Sequence, residues 1–240
     1  DNESQRNIRI NAKLFLDKLE EKFGNDSDGL TKFGGFLVQR CFLVAVSTPS
    51  QQSAFRVFSV LNSRGLDLLP TDIIKSDIIG NIKSPDKQDE VTERWEELEV
   101  QTGRDGFAEL FGHIRMIFAK EKARRTLLEE FREQVIKKYE SPETLMSTVV
   151  EPFAEAYLIA KKCQYLSTTN AADVNALLKW LNRIENSDWL PSAIKFLAMQ
   201  GKNADYVLWF FRKLERLASF MHICGYDVNQ RIERYASVLS

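Results

Sequence analysis

The 240-residue chain is poor in the residues that most often announce chemistry: it has two histidines, three cysteines and six prolines. Cys41, Cys163 and Cys224 are odd in number, far apart and without a CxxC pair, which excludes the usual zinc frameworks and points to a reducing, cytoplasmic setting. Neither His113, in FGHIRMIF, nor His222, in SFMHICG, stands in a metal-binding motif, so both read as packed or capping residues. No Walker loop, GxSxG or HExxH occurs. Apolar stretches such as CFLVAV fall far short of the roughly 20 residues a membrane helix needs, and no signal segment precedes them. Charge of one sign is missing too, with 33 Lys and Arg against 34 Asp and Glu. No global field therefore draws the chain to nucleic acid or an anionic membrane, and any such binding has to be local.

What is present is helical periodicity. Ile8, Ala12, Phe15, Leu19 and Phe23 recur at steps of three and four, predicting a helix over residues 4–23 that Gly24 ends. A loop over Asn25–Gly29 and a helix over Leu30–Gln39 follow, and Cys41–Val46 is rich enough in β-branched and aromatic residues for a strand. Caps mark further helices: Ser84-Pro85 to about Val100, Asp105 through Phe118, Thr126 through Tyr139, and Ser141-Pro142 to about Tyr165 with a kink at Pro152. Residues 173–184, 188–200, 203–224 and 227–239 complete the set. The expected fold is mainly α, a multi-helix bundle with a small α/β remnant near the N-terminus.

Carboxylates in WEELE and LLEEF alternate with Arg and Lys, as solvated helix faces do. The densest basic cluster is Arg115, Lys120, Lys122, Arg124 and Arg125. It has two readings: cations complementing a helix C-terminus, or sequence-nonspecific contacts to a DNA backbone. In the aromatic run around Tyr206 and Trp209, the residues Tyr206, Phe210, Leu214, Leu217 and Met221 share a face and are expected to pack in the core.

The segment Phe55–Ile79 is the most distinctive. An amphipathic run stops at an Asn-Ser-Arg-Gly turn, where Gly65 supplies a positive φ, and a second apolar run restarts at Pro70 with Asp72 in its first turn. A plain helical corner and a functional turn both fit that pattern. The residues Phe58, Leu61, Asn62, Arg64, Gly65 and Leu68, followed by Asp72 and Lys75, resemble the closing segment of the N-terminal domain of GmrSD-type restriction endonucleases. Leu69 departs from that family, which usually has a Ser or Thr cap there.

The resemblance implies a ParB/sulfiredoxin-like sensor domain that uses a nucleoside triphosphate, a helical middle region, and an HNH nuclease domain that uses a divalent metal. The family's Asp-Gly-Gln-Gln-Arg and nuclease His/Asn motifs are absent from this sequence, so it reads as the middle of a larger phage-defence protein with no catalytic residue or cofactor of its own. On that reading residues 1–82 close the N-terminal domain and 83–240 form the helical domain, with a sub-boundary near 167–170. Its partners would be the flanking domains of the same protein and DNA. A helical nucleic-acid-binding module and a protein-interaction or oligomerisation scaffold are the two other classes that the residues allow.

Overall fold

The structure, a computed structural model, describes residues 3–42, Ser47 and 69–240. It is mainly α, with no strand among the described residues. The chain divides into two units, Asp1–Leu66 and Asp67–Ser240. The division falls ahead of the helix at Pro70, whereas the sequence reading set it after residue 82.

In the first unit, α1 (Glu3–Phe23) and α2 (Ser27–Arg40) pair through Phe23 and Phe33, whose ring centroids are 5.4 Å apart. Gly24, at φ +33°, ends α1 as its position suggests. The expected loop over Asn25–Gly29 is shorter, because the Asp26 carboxylate accepts from the Gly29 N–H at 2.9 Å and caps α2 three residues early. Cys41 and Phe42 are not helical, and residues 43–46 of the expected strand, with the α/β remnant it implied, lie outside the described residues.

The second unit begins with α3 (Pro70–Ile79), α4 (Pro85–Thr102) and α5 (Arg104–Ala119). Next, α6 (Leu127–Gln134) is opened by a reciprocal cap: the Thr126 hydroxyl accepts from the Glu129 N–H at 3.3 Å while the Glu129 carboxylate accepts from the Thr126 N–H at 3.1 Å. The helix expected to run on to Tyr139 stops at Gln134, and a 3₁₀ turn spans Ile136–Lys138. Ser141-Pro142 opens a single turn, Pro142–Leu145, that widens into a π turn over Met146–Val150 before α7 (Glu151–Lys162). Pro152 sits in the first turn of α7, so the π turn absorbs the missing N–H that the sequence reading expected to kink the axis. Last come α8 (Ala171–Leu181), α9 (Leu190–Gln200), α10 (Ala204–Ile223) and α11 (Val228–Leu239).

Two helices organise the core. α5 packs on α3, α4, α6, α7, α9 and α11, and α9 packs on α5, α7, α10 and α11. Along α5, the Trp95 ring meets Phe107 at 5.1 Å, Phe107 meets Phe111 at 5.2 Å, and Phe111 meets Phe131 at 5.0 Å between centroids. Each such buried aromatic contributes about 1.5–3 kcal/mol. Val174 and Leu178 of α8 belong to the same continuous core as Phe153 and Tyr157 of α7, on the other side of residues 167–170. No helix among the described residues is long and apolar enough to cross a membrane.

Candidate functional site

Of the motif residues, Phe58, Leu61, Asn62, Arg64, Gly65 and Leu68 lie outside the described residues. Asp72 and Lys75 are both on α3. Leu69 stands at the N-cap, where its side chain can accept nothing, and the Asp72 carboxylate reaches back to accept from the Leu69 N–H at 2.8 Å. Half of a capping box thus survives the loss of the hydroxyl. The same carboxylate lies 3.5 Å from the Arg104 guanidinium at the start of α5, and Lys75 Nζ lies 3.2 Å from Glu96 on α4. Glu99, beside these groups, has its pKa raised by burial, with Lys75 opposing the shift. Further along α3, Asp77 accepts both Arg132 Nε at 2.6 Å and an Arg132 terminal nitrogen at 2.9 Å, a bidentate contact to α6. With Ile74 and Ile78 buried, α3 is held by its apolar face and by three ion pairs at once.

The basic cluster separates into unlike parts. Arg115 is buried; its Nε donates to Glu130 and a terminal nitrogen donates to the Glu121 carbonyl. Glu130 also accepts the N–H groups of Arg124 and Arg125 at 2.7 and 2.8 Å. Burial alone would push this carboxyl up, but the two backbone donors and the Arg115 guanidinium prevail and hold it below the usual carboxylate range. Arg115 therefore fixes the loop between α5 and α6 and does not face solvent. Arg125 pairs with Glu133, Arg124 lies 3.5 Å from Glu121, and Lys122 donates to Asn229 Oδ1 at 2.8 Å. Lys120 is the left-handed residue, φ 55°, that ends α5.

Glu109, on α5, is the other charge centre. Its Oε1 is 3.4 Å from His113 Nε2, and its Oε2 accepts the Tyr157 hydroxyl at 2.8 Å and faces Lys161 Nζ at 3.2 Å. His113 first, then Tyr157 and Lys161, hold Glu109 well below the usual range against the upward push of burial. The His113 nitrogen is close but makes no hydrogen bond, so Tyr157 is the contact with the better geometry. Burial and the Glu109 charge push the Tyr157 phenol up in turn. The Tyr157 and Lys161 contacts to Glu109 join α5 to α7. Among the described residues no group of three or more His, Cys, Asp or Glu side chains is placed to hold a metal ion.

Of the face of α10 expected in the core, Leu214 and Met221 are buried and Phe210 and Leu217 pack half-buried against the core, whereas Tyr206 is exposed. The buried stripe is completed by Val207, Leu208, Phe211 and Ala218, and Trp209 is exposed beside Tyr206. Tyr206 instead meets Phe196 at 5.0 Å and Trp209 at 5.4 Å. Exposed Phe220 and three cations, Lys213, Arg216 and Arg234, gather where α10 and α11 border a groove. Periodicity alone could have located these residues on the outer face once the stripe was started from Val207. No family model, curated protein or solved structure matches this chain.

Proposed function

We propose that this chain is the central helical region of a GmrSD-like restriction nuclease, a scaffold that joins a nucleotide-dependent sensor domain to an HNH nuclease domain. The observation that carries the reading is the anchoring of α3: the described end of the family-like motif is tied to α4, α5 and α6 by Lys75, Asp72 and Asp77. A helix so fixed transmits a displacement at its N-terminus into the bundle rather than absorbing it. The apolar faces of α1 and α2 support a docking role as well. Ile8, Phe15 and Leu16 are each more than 60% exposed, and none of the described residues of that unit is buried.

The test starts with the complete reading frame, in which nucleotide-site and His/Asn nuclease motifs are expected on either side of these residues. In that complete protein, Lys75→Glu should lower nucleotide-stimulated DNA cleavage a few-fold, the scale of a partly exposed ion pair, and adding Glu96→Lys should restore it. Flanking sequence without those motifs, or stimulated cleavage indifferent to Lys75→Glu, would overturn the reading. The second class, DNA-backbone contact, now rests on Lys120, Lys122, Arg124 and Arg125, since Arg115 is buried.

A further inference from the structure

The trough between α10 and α11 is lined at helical spacing from both sides. Lys213, Arg216 and Phe220 come from α10; Gln230, Arg234 and Ser237 come from α11. Steps of three and four on two helices define a channel that runs along both axes, about 12 Å for the span from Lys213 to Met221. Both helices rest on α9 and make little contact with each other, so the channel stays open, with a volume of about 710 Å³. Its floor is apolar, formed by buried Met221 and half-buried Leu217, with Phe220 67% exposed at one wall and Tyr226 42% exposed at the end of the turn.

Its rim is cationic. Among the described residues Lys213, Arg216 and Arg234 make no ion pair, and the single carboxylate lining the channel is Glu233. Elsewhere in this unit the less exposed arginines are matched, as in Arg115 with Glu130, Arg132 with Asp77, and Arg231 with Asp188 at 2.7 Å, while scattered lysines such as Lys83, Lys137 and Lys179 make no ion pair among the described residues; what sets the trough apart is three unmatched cations on one apolar groove. Three unmatched cations around an apolar trough of helical period are a recognition pattern, because an apolar stripe alone would accept a ligand of any charge.

We infer that this trough is a docking site for an acidic amphipathic helix of a partner polypeptide, seated with an apolar stripe on Leu217, Phe220 and Met221 and carboxylates toward Lys213, Arg216 and Arg234. The charge decides the partner's sign, and the apolar floor decides between a peptide and a phosphate backbone. A helix supplies side chains at three- and four-residue steps that fill such a floor, whereas phosphates would leave Leu217 and Met221 unused. The site is separate from α3 and from the basic cluster, and it stands or falls independently of the scaffold reading.

The experiment uses the 240-residue chain and a labelled peptide of about four helical turns with Leu on one face and Glu elsewhere, beside a twin with Lys in place of every Glu. Fluorescence anisotropy should show the Glu peptide binding and the Lys peptide binding at least about tenfold more weakly. Combining Lys213→Glu, Arg216→Glu and Arg234→Glu should reverse that preference while circular dichroism stays unchanged, and Phe220→Ser should weaken both peptides. Equal affinity for the two peptides, or no binding of the Glu peptide, would sink the proposal. So would binding of a single- or double-stranded oligonucleotide that depends on the same three cations when the peptide fails to bind.

Discussion

Glu130 shows how one side chain can decide the meaning of its neighbours. Five basic residues within eleven positions look like a surface patch when counted along the chain. Yet Arg115 follows Phe111 by four residues, which puts it on the core stripe of α5, and that spacing was the available warning. Its partner Glu130 lies on another helix, beyond the reach of local pattern. Glu130→Gln keeps an oxygen for the Arg124 and Arg125 N–H groups but leaves the buried Arg115 charge unmatched, so the variant should lose about 3 kcal/mol or more at neutral pH. Because the folded-state pKa of Glu130 is held below its unfolded value of about 4.3, the ion's contribution is fully present above that value and disappears as pH falls through the folded one. Urea midpoints of wild type and Glu130→Gln should therefore differ most near pH 7 and converge in acid; a gap that is constant with pH would show that the carboxylate charge is not what stabilises the loop.

At the scale of elements, chemistry that acts within four residues was legible and chemistry that acts across space was not. Ser84-Pro85, Thr126 with Glu129, and Ser141-Pro142 mark helix starts that the structure reproduces to within a residue. The stop at Gln134 had no such mark: Val135, at φ −116°, turns the chain so that its side chain is buried in the core, a tertiary reason invisible in a periodic sequence. Gly103, between α4 and α5, lies at φ +75° and ψ 155°, a combination open almost only to glycine. No atom would lie within 4 Å of an added Cβ there, so Gly103→Ala tests backbone strain without a steric clash. It should cost about 1–3 kcal/mol, read as a lowered urea midpoint with an unchanged slope. An unaltered midpoint would mean that the joint between these helices relaxes into an ordinary conformation.

For the whole molecule, the mainly helical class followed from periodicity, but the way the helices share a core did not. The polar run at 167–170 looked like a place where the bundle could divide, since composition is the only boundary signal a sequence offers. The core ignores it. α9 contacts α7 before that run and α10 and α11 after it, and Tyr165 hydrogen-bonds across it: its N–H donates to Asn175 Oδ1 at 2.8 Å and its hydroxyl to the Gly201 carbonyl at 2.7 Å. Helices that bury their stripes against the same two hubs have no cheaper way to open than together. Native-state hydrogen exchange should therefore give the slowest amides of α5, α9 and α10 one common opening free energy with one denaturant dependence. If α8 and α10 instead opened at a distinctly lower free energy than α5, the chain would divide near residues 167–170, and the continuity of packing from Phe153 to Val174 would not be a thermodynamic one.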